Sequence, residues 1–241
     1  MAIHGICFDI DGTLYPSWMT KALLIPTTFP DIRMMSAVRR FRNLVREEGY
    51  VHPLGEGEQA FIEQQARFVL EKLGRKVTGT SVAAMIAQID RQLYRTMERS
   101  FALIRPYPHL QETLSSLVEQ GLILSALSDF PVARKLETLG VDRYFTYRSC
   151  AQDTGYLKPH KEPFLHMAGL MGFDPSEILY VGDSYRKDMV GAKRAGMKTI
   201  LLTKSPRGTT EREKYSESHP AADMVFTDYR DFHTQVTCLT T

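Results

Sequence analysis

Apolar and polar positions follow two different rhythms along this chain. A short apolar run from Ile3 to Phe8 breaks into Asp9-Ile10-Asp11-Gly12-Thr13-Leu14-Tyr15. A run of that length, bounded by a polar turn, reads as a buried strand. Pro16, Pro26 and Pro30 then interrupt any regular pattern. A helical rhythm follows. Asp31 stands where an N-cap belongs, ahead of Met35, Val38, Phe41 or Arg42, and Val45, with Gly49 as the stop. Ile62, Ala66, Val69 and Leu73 recur at helical spacing up to Gly74. A third helix starts at Thr80 or Ser81 and carries Val82, Met85, Ile86, Ile89, Leu93 and Met97 on one face. No strand pattern intervenes, so residues 15–104 read as a helical insertion.

Arg105-Pro106-Tyr107-Pro108 marks a change to alternating strands and helices. The pattern predicts helices over His109–Glu119, Val132–Leu139 and Glu162–Met171, and one through Asp188 to Ala195. It predicts strands at Leu122–Leu127, Tyr144–Tyr147, Ile178–Val181, Lys198–Leu202 and Met224–Phe226. Strands that alternate with helices imply a parallel sheet with right-handed crossovers. The expected fold is therefore α/β: a Rossmann-like parallel sheet core, residues 1–14 and 105–241, with an inserted α-helical cap, residues 15–104. Ser205 to Pro220 reads as a polar surface loop, and the tail after Gln235 is expected to fray.

Composition narrows the field. The chain has 241 residues, with 30 Lys and Arg against 28 Asp and Glu, a formal charge of +2. So balanced a charge offers no long-range attraction for nucleic acid. The three cysteines, Cys7, Cys150 and Cys238, are far apart and show neither zinc-type pairing nor a disulfide framework. Cys7, inside the first strand, reads as a small core residue. A reducing compartment is expected. With no signal-type segment or membrane-crossing run, the expectation is a cytoplasmic protein without a membrane partner.

The chemistry collects where the strands end. Ligands of an open parallel sheet bind beyond the carboxyl ends of its strands. Asp9 and Asp11 follow the first strand, Ser128 and Asp129 the second. Gly182-Asp183-Ser184 follows the strand ending at Val181, with Asp188 a turn further on. Gly155-Tyr156-Leu157-Lys158-Pro159-His160 adds a lysine. Oxygen-only ligands without a Cys/His cluster point to Mg²⁺ rather than Zn²⁺. Several acids with one lysine suit a divalent cation and an anionic substrate, for which phosphate is the natural choice.

Four segments in order, Asp9-Ile10-Asp11-Gly12-Thr13-Leu14, Ser128, Lys158-Pro159 and Gly182-Asp183 with Asp188, resemble the motifs of the haloacid dehalogenase-like (HAD) hydrolases. The insertion is similar to the family's C1-type cap. The resemblance implies that Asp9 is a nucleophile forming an aspartyl-phosphate. It implies that Asp11 protonates the leaving oxygen and then deprotonates water, work suited to a carboxyl raised by acidic neighbours. Mg²⁺ would be held by Asp9, Asp183 and the Asp11 carbonyl, with Asp188 as ligand or holder of metal waters. Lys158 and Ser128 would grip the phosphoryl group, and Gly12 and Thr13 would shape the loop around it. The expectation is a Mg²⁺-dependent phosphatase of a small phosphorylated metabolite. Its alternatives are a sugar-phosphate mutase and a non-catalytic phosphate-binding protein. A dehalogenase has no need of Asp11 or a metal, and the phosphonatase pattern lacks the second Asp.

Several residues carry plainer expectations. Asp129 stands where the family often has Asn, and ahead of Pro131 it reads as a helix N-cap. His160 reads as a solvated loop histidine. Arg33, Arg39, Arg40, Arg42 and Arg46 crowd the first cap helix, where they could meet an anionic substrate, although arginines on an amphipathic helix ordinarily form its wet face. Met34, Met35, Met85 and Met97 read as cap core. Tyr15 and Trp18 suit either the substrate pocket or packing at the cap hinge.

Overall fold

The computed structural model describes residues 2–19, 31–50, 52, 54–204 and 217–240, without the side chains of 233, 234 and 237–240. The first strand, β1 (Gly5–Phe8), is buried at every position. It is an inner strand of a six-stranded sheet that also contains β2 (Ile123–Ser128), β3 (Tyr147–Cys150), β4 (Ile178–Gly182), β5 (Lys198–Leu202) and β6 (Met224–Phe226). Their order is β3-β2-β1-β4-β5-β6, and every pairing is parallel. β1 pairs with β2 on one side and β4 on the other, so the connections reverse direction at β1. That reversal opens the crevice in which such sheets bind ligands.

Alternation along β1 divides the core. Ile6 and Phe8 face a cluster with Leu124, Ala126, Leu179 and Val181, while Cys7 faces one with Leu127, Ile178 and Tyr180. The first face is covered by α5 (Leu110–Glu119), α6 (Ala133–Leu139) and α9 (Tyr229–Thr240), the second by α7 (Glu162–Met171) and α8 (Val190–Arg194). Cys7 and Cys150 are both buried and unbridged. No helix among the described residues is long and apolar enough to cross a membrane.

Between β1 and α5 the described chain holds α1 (Ile32–Val45), α2 (Glu58–Lys72), α3 (Gly79–Ile89) and α4 (Arg95–Phe101). Asp31 caps α1, its carboxylate accepting from the N–H groups of Arg33 and Met34 at 3.1 Å each. Thr78 and Ser81 close α3 with a capping box. The stripe from Val82 to Met97 was expected as one helix. A π-helical turn at Asp90–Tyr94 divides it, a local widening that recurs at functional sites.

Two other expectations are corrected. The second short strand lies at Tyr147–Cys150 rather than Tyr144–Tyr147, because Asp142–Tyr144 forms a 3-10 turn. The tail continues as α9 to Thr240, where burying Phe232 and Val236 holds it in place. Pro26, Pro30 and residues 205–216 of the expected polar loop lie outside the described residues.

Candidate active site

β1 delivers Asp9 to the crevice with its N–H still bonded to the Val181 carbonyl at 2.8 Å. The chain then turns sharply, the Leu14 N–H reaching back to the Ile10 carbonyl at 3.0 Å. Gly12 sits in this turn at φ +106°, and a Cβ there would lie 2.0 Å from Asp183 Oδ2. Positive φ and the close approach both demand glycine. Gly182 is under similar pressure, since a Cβ would lie 2.5 Å from the Asp188 Cβ. From the far end of the chain, the Tyr229 hydroxyl donates to the Thr13 carbonyl at 2.7 Å and pins the loop from below.

Lys158 is the buried hub of one half of the site. Its Nζ lies 2.6 Å from Asp9 Oδ1, 2.6 Å from Asp188 Oδ1 and 3.1 Å from the Tyr180 hydroxyl. Burial opposes its charge, but Asp188 and Asp9 overcome that and raise its pKa well above the usual lysine value. The other carboxylate oxygen of Asp9 accepts from Thr13 Oγ1 at 2.9 Å. Burial, reinforced by repulsion from Asp188, Asp183 and Asp11, pushes the Asp9 carboxyl up to about 8 despite the attraction of Lys158. Burial and repulsion from Asp188 likewise push Asp183 up to about 6.

Asp9, Asp183 and Asp188 each offer a carboxylate oxygen within 4.8 Å of the others. The donor set fits a hard divalent cation: oxygen only, close, and short of compensating positive charge. Burial first, and then repulsion among the three acids, keeps the Asp9 and Asp183 carboxyls raised.

Asp11 faces the other way. Its Oδ2 accepts from Ser128 Oγ at 2.8 Å and from Lys135 Nζ, and its Oδ1 accepts from the Tyr15 hydroxyl. Burial alone would raise this carboxyl. The Lys135 charge and hydrogen bonds from Lys135, Tyr15 and Ser128 win, and the pKa is lowered. This overturns the expectation that acidic neighbours lift Asp11. Lys135 was not anticipated. It is wholly buried on α6, bonds Ser128 Oγ at 3.2 Å, and lies 5.4 and 5.7 Å from the Phe101 and Phe130 ring centroids. One signal existed. Lys135 lies three residues after Val132 and four before Leu139, on the inward stripe of its helix.

Asp129 is not the N-cap of α6, whose cap is Val132 with no side-chain bond. Its carboxylate instead accepts from Arg46 Nη2 at 2.8 Å and from the Lys158 N–H at 3.1 Å, and its carbonyl from Arg42 Nη2 at 2.5 Å. Burial would raise Asp129, but Arg46, Lys158 and Arg42 hold it down at about 2. The α1 arginines are therefore not all a wet face: Arg42 is buried, its guanidinium 4.1 Å from the Phe130 ring centroid. His160 is not simply solvated. Its Nε2 lies 2.7 Å from the Val45 carbonyl at the end of α1. Trp18 is exposed, while Met34, Met85 and Met97 are buried.

Asp9, Asp11, Lys158, Asp183, Lys187 and Asp188 line one cavity of about 240 Å³, whose apolar wall is Leu93, Met97 and Phe130. The sheet thus brings Asp9, Asp183, Asp188 and Lys158 together, with Asp11 and Ser128 on the adjacent wall.

The profile of the haloacid dehalogenase-like hydrolases matches residues 3–196. The chain belongs to that family. A phosphoglycolate phosphatase of Mannheimia succiniciproducens is 30% identical over 229 residues, covering 94% of this chain and 95% of its own. A glyceraldehyde 3-phosphate phosphatase of Methanopyrus kandleri is 28% identical over 239 residues, covering 94% and 92%. The crystal structure of a 2-haloacid dehalogenase from Pseudomonas syringae pv. Tomato DC3000 superposes with a TM-score of 0.65 at 20% identity, covering 98% of each chain. That likeness establishes the HAD-like fold shared with this hydrolase.

Proposed function

We propose that the protein is a Mg²⁺-dependent phosphatase that hydrolyses a small phosphorylated metabolite through an aspartyl-phosphate on Asp9. The observation that carries this reading is the Lys158 ammonium held 2.6 Å from both Asp9 and Asp188 at the floor of the acidic cavity. Full-length similarity to phosphatases at about 30% identity supports it.

A phosphate monoester enters with its bridging oxygen toward Asp11 and its phosphorus toward Asp9. One Asp9 oxygen attacks phosphorus while the ester P–O bond breaks, and Asp11 passes a proton to the departing oxygen. Lys135 favours the ionised form of Asp11, so Asp11 must first take up a proton to act as the acid and is set directly for its second task, as base. Asp11 then takes a proton from the water that attacks the aspartyl-phosphate, which restores Asp9 and frees phosphate. Lys158 balances phosphoryl charge, Thr13 Oγ1 orients Asp9, and Ser128 with Lys135 orients Asp11. Asp9, Asp183 and Asp188 would hold Mg²⁺, joined by the Asp11 carbonyl. Bound there, the ion supplies charge neutralisation for the phosphate oxygens.

In this reading residues 15–104 are a cap that excludes bulk water from a core of residues 1–14 and 105–241. The protein works in the cytoplasm on a small molecule, without nucleic acid. The test is phosphate release from p-nitrophenyl phosphate with Mg²⁺, beside the Asp9→Asn protein. The substitution should cut kcat at least about a thousandfold. An Asp9→Asn protein as active as the parent refutes the assignment. Isomerised sugar phosphate without net phosphate release would mark a mutase, and Mg²⁺ and phosphate binding without turnover a non-catalytic protein.

A further inference from the structure

A second cavity, of about 600 Å³, shares Leu93, Phe130 and Lys187 with the acidic one. Its charge has the opposite sign. Arg39, Arg42, Arg46, Arg186 and Lys187 line it against a single acid, Glu47. Five cations in one concave surface focus a positive potential that suits an anion. Arg42 and Arg46 are bonded to Asp129, yet each keeps a buried Nε with no acceptor among the described residues. Arg39, Arg186 and Lys187 form no ion pair among the described residues. Buried donors without partners are rare, and here they coincide with unpaired cations.

The size of the cavity adds a second constraint. About 600 Å³ lies within the range of sites for ligands well beyond two carbons. The acidic cavity already provides a place for the scissile phosphate. We propose that the substrate carries a second anionic group, carboxylate or phosphate, on a spacer of about sugar length. Arg39 and Arg186 read that group, and Lys187 spans the two cavities. The inference rests on the phosphatase reading and deepens it.

A matched series of esters separates its parts. Glucose 6-phosphate, 6-phosphogluconate and glucose 1,6-bisphosphate share one phosphorylated end and differ in a neutral, carboxylate or phosphate group at the other. Phosphoglycolate supplies a carboxylate without the spacer, and p-nitrophenyl phosphate reports phosphatase competence alone. At low ionic strength, kcat/KM for at least one of the two six-carbon esters with a second anionic group should exceed that for glucose 6-phosphate about tenfold or more. 6-Phosphogluconate and glucose 1,6-bisphosphate also report which second anion is read. The preference should shrink in high salt. In Arg39→Ala and Arg186→Ala proteins the ratio of kcat/KM for the two-anion esters to that for glucose 6-phosphate should fall toward one, mainly through KM, with Arg39→Lys keeping part of it.

Equal kcat/KM across the six-carbon series overturns the second-anion proposal. Phosphoglycolate outrunning both 6-phosphogluconate and glucose 1,6-bisphosphate overturns the spacer, and an undiminished ratio in both alanine variants overturns the residue assignment. If p-nitrophenyl phosphate itself is not turned over, the phosphatase reading fails and takes this inference with it. Turnover of p-nitrophenyl phosphate with no preference in the series sinks this inference alone.

Discussion

Replacing Lys135 with Met tests the division of the site into two charged halves. The side chain is fully buried, and its Nζ serves Asp11 and Ser128 between two aromatic rings. Methionine keeps most of the volume and removes the charge, which leaves the Asp11 carboxylate with only neutral donors. Breaking one side of a buried pair costs about 3–5 kcal/mol. The low end applies here, because the Asp11 side chain is 28% exposed and water screens part of the loss. About 3 kcal/mol in a chain of this size lowers Tm by about 6–12 °C. Thermal melts at neutral pH read that shift directly. The pairwise part comes from a double-mutant cycle with Asp11→Asn, which removes the carboxylate charge that Lys135 balances. The double variant should be less destabilised than the two single losses combined, by about 1–3 kcal/mol. A Lys135→Met protein that melts within 2 °C of the parent, as a roughly estimated margin of error, or single losses that simply add, would refute the pairing.

Other substitutions probe the neighbouring contacts. Gly12→Ala drives a Cβ to 2.0 Å from Asp183 Oδ2 at φ +106°. Backbone strain alone costs about 1–3 kcal/mol, and displacement of Asp183 should abolish turnover and weaken Mg²⁺ binding by calorimetry. Asp129, held at about 2 in the folded protein, stabilises the fold by about 2 kcal/mol relative to an ordinary aspartate. Its folded pKa is depressed, so that stability is full above about pH 4 and lost as pH falls through about 2. Urea melts of parent and Asp129→Asn should therefore differ at pH 5 and converge near pH 2, and a constant difference would contradict the ion pair with Arg46. Tyr229→Phe deletes one buried hydroxyl bond to the Thr13 carbonyl and should cost about 1–3 kcal/mol. It should also lower kcat for p-nitrophenyl phosphate through the loosened loop.

Much of the sheet was legible because its inner strands are continuous apolar runs that end in polar turns. β5, β6 and α7 fall where the pattern places them. β3 did not. It is an edge strand reading Tyr-Arg-Ser-Cys, with Arg148 exposed and Tyr147 partly so, and no apolar run announces it. The acids of the site were legible from strand ends, since order and register of a parallel sheet bring those ends to one crevice. Their charge environment was not. Spacing places Asp11 among acids, but only the packing of α6 brings Lys135 to it. The local setting of Asp129 ahead of a proline suggests a cap, whereas its arginine partners lie on α1 and at its C-cap, 87 and 83 residues away. Long-range pairs of this kind leave no periodic trace.

The order of synthesis gives the β1 loop a particular history. Asp9 leaves the ribosome early, but its cation Lys158 lies 149 residues later, and the tyrosine that pins Thr13 is 216 residues away. At about 5–20 residues per second, the nascent chain carries an unfinished site for about 10–40 s. For part of that interval the apolar Gly5–Phe8 segment lacks its strand partners, β2 until Ser128 has been made and β4 until Gly182. Two unpaired edges on one apolar segment invite association with other chains. Asp9 is among the first residues made, and the site around it is among the last things assembled.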